Sequence, residues 1–292
     1  MTQYLLQIAL AGIAQGSLFA LTALGLVMIY NASSVVNFAH GAMGMAATYV
    51  AYLLITKWQA PFALAFAGAL VAAFVLGVVV QTLFLARLRH APLMSQVVVT
   101  LGLFMLLEGL LGLAFGYNPR PMSESIAIKP VILGNLVLRP QDVLELALLL
   151  VLGLALAALF AATKVGLGMR AITENPYAAQ LMGIPVGRVL AIAWGVGVML
   201  SAVVAILAAP MTSVTPNMMD TIVVYGFVAA IVGGFGSMAG ALAGGLILGV
   251  VVNMIDAFVA PELAMSIVFG LLLVVLYVKP DGLFGRVQVQ KV

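Results

Sequence analysis

Residues 1–56 read MTQYLLQIALAGIAQGSLFALTALGLVMIYNASSVVNFAHGAMGMAATYVAYLLIT, without one Asp, Glu, Lys or Arg. A helix rises about 1.5 Å per residue and a bilayer's hydrocarbon core is about 30 Å thick, so this run is long enough to cross a membrane twice. The remainder of the chain follows suit. Of 292 residues, 65% are hydrophobic and 7% charged, against about 25% charged in a soluble domain. No water-facing surface can be built from that composition, which predicts an all-α, polytopic integral membrane protein. A transmembrane barrel would need strict alternation, and residues 146–152, LALLLVL, have none. Helices satisfy their backbone groups internally, which lipid requires.

Nine apolar stretches are candidate spans: 5–30, 36–55, 62–86, 93–115, 143–163, 189–209, 222–234, 239–255 and 263–278. At 13 residues, 222–234 is too short for a full span and reads as a half-helix or a re-entrant segment covered by protein. Eight or nine transmembrane helices are therefore expected, some discontinuous. No linker or low-complexity tract interrupts the pattern, so residues 1–292 read as a single transmembrane domain. The N-terminus lacks a basic n-region, which argues against a cleaved signal peptide. Cysteine is absent, which removes disulfides, thiol chemistry and Cys-ligated metals.

Basic residues gather in three places: Arg87, Arg89 and His90; Lys164, Arg170 and Arg188; Lys279, Arg286 and Lys291. By the positive-inside rule all three face the cytoplasm, and the net charge of +3 reports orientation and not a nucleic-acid partner. The segment 117–141, with Arg120, Glu124, Lys129, Arg139 and four prolines, is then an extended external loop. The N-terminus falls outside, as does Lys57, the one exception to the rule. The long polar break on the basic side is 164–188, KVGLGMRAITENPYAAQLMGIPVGR. It reads as a short helix between Gly-rich joints, placed to meet a cytoplasmic partner.

Few polar residues elsewhere ask for an explanation. Asn31, Ser33, Ser34, Asn37 and His40 bring two amides, two hydroxyls and an imidazole into an apolar region. Either they cap a broken helix or line a cavity, as discontinuous helices do at transport sites, or they form an interfacial turn with His40 at its edge. No second ligand is spaced to join His40 on a metal, and no metal site is expected. Glu108 lies inside the fourth span and is a functional candidate by default, with snorkelling to the outer interface as the alternative. Asn217 and Asn253 complete the substrate-path candidates, against the plainer role of bridging helices. Asp220, Asp256 and Glu145 fall at span ends, where interfacial water accounts for them.

Glycines recur at helical spacing: Gly112 and Gly116, Gly240 and Gly244, Gly245 and Gly249. Such pairs let helix backbones approach closely in lipid, and their density from Gly233 to Gly249 predicts a tightly packed helix pair. The run 233–237, GGFGS, reads as a tight turn. No GxxxxGK[ST] occurs in the chain and no Lys follows these glycines. No paired-carboxylate or Ser/His/Asp set is recognisable, so no catalytic residue is assigned. This chain is expected neither to hydrolyse ATP nor to hold a cofactor.

Five stretches then form a familiar series: GIAQGS at 12–17 running on to ALTALGL at 20–26, NFAHG at 37–41, RAITEN at 170–175 with Gly183-Ile184, GGFGS at 233–237, and KPDGLFG at 279–285. In this order they resemble, over the full length, the permease subunits of bacterial branched-chain amino acid ABC importers, nearest to the H-type subunit of the leucine/isoleucine/valine systems. The resemblance implies a multi-pass protein of the cytoplasmic (inner) membrane with a cytoplasmic C-terminus. Its partners would be a second homologous permease, two cytoplasmic ATP-binding subunits that handle ATP and magnesium, and an external solute-binding protein.

Such permeases present a coupling helix to the ATPase, often with an EAAxxxG-like pattern. Here Ala178-Ala179, three intervening residues and Gly183 fit, while Tyr177 stands where Glu is expected. Glu174 comes earlier and is a candidate cap for the helix that begins at Pro176. The residues implied for ATPase coupling are Glu174, Asn175, Ala178, Ala179 and Gly183. A same-family permease for urea, short amides or other amino acids is the principal alternative. An ion-coupled secondary transporter would have essentially Glu108 and His40 to work with, and an integral-membrane enzyme would lack a visible constellation.

Overall fold

The computed structural model of the protein describes residues 2–88, 91–122, 130–133 and 136–285. Arg89, His90, Glu124, Lys129, Arg286 and Lys291, read above as loop charges, lie outside the described residues. Eleven α-helices follow in order: α1 (Thr2–Ser33), α2 (His40–Thr56), α3 (Phe62–Leu83), α4 (Leu93–Phe115), α5 (Pro140–Ala162), α6 (Lys164–Glu174), α7 (Pro176–Leu181), α8 (Val186–Thr212), α9 (Asp220–Gly233), α10 (Met238–Phe258) and α11 (Pro261–Val278). A 3₁₀ turn, Leu85–Leu88, follows α3. Two short strands, β1 (Val131–Leu133) and β2 (Leu136–Leu138), pair antiparallel between α4 and α5. Seven of the helices are long and apolar enough to cross a membrane: α1, α3, α4, α5, α8, α10 and α11. The chain is thus an all-α multi-pass membrane protein.

Each apolar stretch of the sequence coincides with a helix, and the differences have local causes. Helix α2 starts at His40, not at 36, because residues 34–39 leave helical geometry, beginning with Ser34 at φ 56°. At 17 residues it is at the lower limit for a crossing, and α9, at 14, is below it. Helix α5 begins earlier than its apolar run, with Pro140 in its first turn, where a missing N–H is harmless. The loop 117–141 is less irregular than expected, since it carries the β1–β2 ribbon. The segment 164–188 holds two helices in place of one. Asn175 separates them because it precedes Pro176, whose ring disfavours helical geometry at the preceding residue; its φ/ψ are −158°/103°.

By packing, the chain divides into two compact units. The first comprises Met1–Val27, Ile126–Gly153 and Val224–Val292. Within it α10 lies against α1 through glycine. A Cβ at Gly12 would come within 2.7 Å of Val250 Cα, and one at Gly16 within 2.9 Å of the Gly245 carbonyl. Gly249 abuts Gly16, and Gly233 abuts Gly240 across the α9–α10 turn. Gly234 takes φ 106°, and the Ser237 hydroxyl accepts from Gly240 N–H at 3.0 Å to cap α10. The end segment folds back here: Leu283 N–H donates to Val232 O (2.8 Å) and Phe284 N–H to Gly233 O (3.0 Å). Those bonds satisfy carbonyls that the end of α9 leaves free.

The second unit comprises Met28–Ser125 and Leu154–Val223, with α2, α3 and α8 packed on one another. Gly77 lets α3 close on α8, since a Cβ there would lie 2.8 Å from Gly195 Cα. Gly44 does the same for α2, where a Cβ would lie 2.7 Å from the Ser201 carbonyl oxygen. One expected glycine pair differs: Gly112 accommodates the Tyr117 ring and Gly116 ends α4 at φ 74°, so together they shape a helix terminus and not a helix–helix face. In their most apolar stretches α8 is 83% buried but α4, α5 and α11 only 17%, which leaves most of the apolar surface of the latter uncovered within this chain.

Candidate functional site

The polar segment after α5 is built by two caps. The Thr163 hydroxyl accepts from Gly166 N–H at 3.0 Å and starts α6, whose buried face is Gly166, Gly168, Met169 and Ile172. Lys164, Leu167, Arg170, Thr173 and Glu174 are exposed. The Asn175 side chain then accepts from Tyr177 N–H (3.0 Å) and Ala178 N–H (2.9 Å) to start α7. Asn175, and not Glu174, is therefore the cap; Glu174 is the last residue of α6. Helix α7 buries Ala179 and exposes Tyr177, Ala178 and Leu181, and Met182 at its C-cap is exposed too. The chain then turns at Gly183, whose φ of 79° suits the residue without a side chain. The result is a short, doubly capped element with four large apolar side chains, Leu167, Tyr177, Leu181 and Met182, exposed among basic neighbours.

The second site is the break between α1 and α2. The Asn37 carboxamide oxygen accepts from Ala39 N–H at 3.1 Å, an Asx turn that leads into α2, and its Nδ2 approaches Met43 Sδ at 3.7 Å. His40 O accepts from the Ser201 hydroxyl of α8 at 2.7 Å, and Val36 O from the Thr100 hydroxyl of α4 at 3.2 Å. Ser201 is 15 residues from the start of α8 and 11 from its end, or roughly 22 and 16 Å along the axis. The break is thus deep within the helical layer, and the interfacial turn considered for it is not what forms. The His40 side chain is wholly buried, with neither ring nitrogen hydrogen-bonded among the described residues. Tyr49 Oη on α2 and Trp194 Nε1 on α8 share that condition. Gln81 Oε1 and Arg120 Nε of the same unit do too; an unmet buried polar group costs about 1–3 kcal/mol, so this gathering calls for a reason.

The other candidates are dispersed. Glu108 is part-exposed on α4, where its charge is felt by Asp220 at the start of α9. Asn217 is exposed in the turn before α9. Asn253 lies in the other unit, where its Nδ2 donates to Gln15 Oε1 (2.5 Å) and Gly249 O (3.1 Å), bridging α10 to α1. Of the three span-end acids, Asp220 and Asp256 are exposed. Glu145 is 2% exposed, one turn inside α5, and accepts from Gln141 Nε2 at 3.4 Å. Interfacial water does not account for it. Among the described residues no group of His, Asp or Glu is placed to hold a metal ion.

Thr100, Thr173 and Ser201 escaped the sequence reading. Each is a lone hydroxyl in or beside an apolar helix, and such residues ordinarily bond to their own helix. Thr173 does so, donating to Met169 O at 2.9 Å, yet it also reaches Asn31 O at the end of α1. Only the fold brings those partners together. Arg120 is similar. Read as one loop charge among several, it pairs its backbone with Val214, donates from Nη2 to Phe115 O at 2.6 Å and lies over the Tyr52 and Phe115 rings.

Relatives share this chain's extent as well as its pattern. It is 29% identical to the high-affinity branched-chain amino acid transport system permease protein LivH of Escherichia coli, over 99% of this chain and 98% of that protein. It is 28% identical to the permease protein BraD of Pseudomonas aeruginosa, over 98% of each. A probable branched-chain amino acid transport permease of Methanocaldococcus jannaschii is 30% identical over 92% of this chain and 89% of that protein. Among solved structures, PsaBC from Streptococcus pneumoniae in complex with Fab matches 96% of this chain and 92% of that chain, with TM-score 0.49 and 16% identity. The family model described as branched-chain amino acid transport system / permease component matches residues 8–276, from the first turns of α1 almost to the end of α11, and the chain belongs to that family of transport permeases.

Proposed function

We propose that this chain, acting as one permease domain over 1–292, forms half of the translocation pathway of an ATP-driven importer for branched-chain or related hydrophobic amino acids. The other half would be a second homologous permease. Two cytoplasmic ATP-binding subunits would supply the energy, holding ATP and magnesium that this chain does not bind, and an external solute-binding protein would deliver the substrate. The importer would reside in the bacterial cytoplasmic membrane with 117–141 outside and the C-terminus inside; no nucleic acid takes part.

The observation that carries the reading is the capped α6–α7 element, the long polar segment on the basic side of the molecule, which exposes Tyr177, Leu181 and Met182. Exposed apolar side chains on a polar segment mark a docking surface. In this reading Glu174, Asn175, Ala178, Ala179 and Gly183 shape the contact with the ATPase. ATP-driven movement there tilts α5 and α8 and alternates access to the pathway. Asn37 and His40 at the deep break remain candidates to meet the substrate, supported by the unmet imidazole. Glu108 and Asn217 are candidates nearer the outer end. Asn253 is the weakest, because its amide already bridges α10 and α1.

Co-purification of the complex, followed by ATP-driven uptake of labelled leucine in vesicles, tests the proposal. Uptake should stop when magnesium is chelated, whereas uptake that survives loss of the ATPase would overturn it. Competition by isoleucine and valine, but not by urea or short amides, distinguishes the amino acid reading from its nearest alternative. Collapse of uptake by an uncoupler at constant ATP would favour ion coupling.

A further inference from the structure

The backbone of 31–40, from the end of α1 to the start of α2, is held by three hydroxyls from three helices. Ser201 of α8 donates to His40 O, Thr100 of α4 to Val36 O, and Thr173 of α6 to Asn31 O. The first two donors are buried and their helices pack on α2. Thr173 differs in both respects: it is exposed, and it belongs to the segment offered to the partner. Its acceptor is a carbonyl in the last turn of α1. A few residues on, Ser34 turns the chain at φ 56° into the break.

A threonine hydroxyl has one proton to donate. Thr173 presents it to two acceptors, Asn31 O across the gap and Met169 O one turn back in α6. If α6 withdraws, the hydroxyl keeps its bond to Met169, and Asn31 O, on a part-exposed residue, can take water instead. The contact therefore opens at little cost; Thr100 also has an acceptor in its own helix, Val97 O at 2.9 Å, but it and Ser201 are buried away from water. We propose that Thr173 is a positioning residue: a latch through which movement of α6–α7 releases or seats the end of α1 and so the break that carries Asn37 and His40. The latch rests on the reading of α6–α7 as the ATPase-coupling element.

The test uses the complete transporter. Thr173→Val keeps shape and removes the donor, and Thr173→Ser keeps the donor. The ratio of substrate-stimulated to basal ATPase activity should fall roughly 2- to 10-fold in T173V, the worth of one hydrogen bond, and recover in T173S. A merely structural defect would lower both activities together and leave the ratio alone. An unchanged ratio in T173V, or an equal fall in T173S, overturns the latch. Asn175→Ala separates the two levels: a fall there with none in T173V leaves coupling standing and removes the latch alone. If neither variant moves the ratio, both ideas are lost.

A second readout covers poor expression of T173V. The chain has no cysteine, so Ser34→Cys supplies a sole thiol in this subunit at the exposed edge of the break. Its maleimide labelling rate in the assembled transporter should change on adding ATP, and that change should vanish on replacing Thr173 by Val or Ala. Labelling indifferent to ATP, or a response that survives both replacements, overturns the proposal.

Discussion

Asn175 ends one helix and begins the next, and both tasks fall to its side chain and its place before a proline. Helix α7 has six residues, far fewer than a helix needs to persist in water by itself, so its cap matters more than usual. Losing an Asn cap costs about 0.5–2 kcal/mol. Asn175→Ala should therefore reduce substrate-stimulated ATPase activity severalfold while Asn175→Asp keeps it, measured on assembled transporter at equal amounts. Glu174 offers a contrast: an acid at the end of α6 opposes the helix dipole, so Glu174→Lys should not impair insertion. A loss of stimulated activity in that variant would locate Glu174 at the partner contact, and unchanged activity would remove it from the coupling set. For His40, replacement by Leu eliminates two unmet polar atoms and should leave the amount of inserted protein equal or higher. If the imidazole meets the substrate, uptake should nonetheless fall about tenfold or more, the scale of one to two polar contacts. Normal uptake in H40L would make the residue a packing feature only.

At the scale of elements, glycine decides which helices can touch. In lipid there is no hydrophobic gain from bringing two helices together, so contact rests on close packing. A Cβ at Gly16 would press on the Gly245–Leu246 backbone of α10, and side chains at Gly245 and Gly249 would collide with Ala20 and Gly16 of α1. Gly245→Val and Gly249→Val should reduce folded protein in the membrane severalfold, read by resistance to limited proteolysis, because backbone cannot retreat as a side-chain tip can. Gly102→Ala and Gly270→Ala, with nothing within 4 Å of the added carbon, should change the yield little. Equal effects in both sets would refute the packing account. The sequence signalled α10 through its spacing, yet the same spacing at Gly112 and Gly116 marks only the end of α4. Spacing reports that backbones can approach, not that they do.

For the whole molecule, charge sets the orientation and the helix count must agree with it. Helices α1, α2 and α3 precede Arg87, and with all three counted as crossings the positive-inside reading expects Lys57 on the side opposite Arg87. In whole cells, Lys57→Cys should react with a membrane-impermeant maleimide while Tyr177→Cys reacts only in inverted vesicles; both residues are exposed. The reverse pattern would invert the assignment, and with it the place of the ATPase. Labelling of both from one side would mean that α2, short as it is, does not complete a crossing in concert with α1 and α3.

Apolar length and the scarcity of charge were enough to establish, from the sequence alone, a helical membrane protein, the position of every long helix and the polar 164–188 segment. Those are properties of composition along a line, and lipid imposes them locally on any chain. What the tertiary structure decided depends on residues far apart in sequence. It put the α1–α2 break at depth against Ser201 and Thr100, buried Glu145, and assigned Asn253 to bridging helices. It also gave Thr173 a second acceptor on α1. A hydroxyl or amide in an apolar run reads the same whether it bonds to its own turn or to another helix. Its partner is set by which backbones the glycines allow to meet.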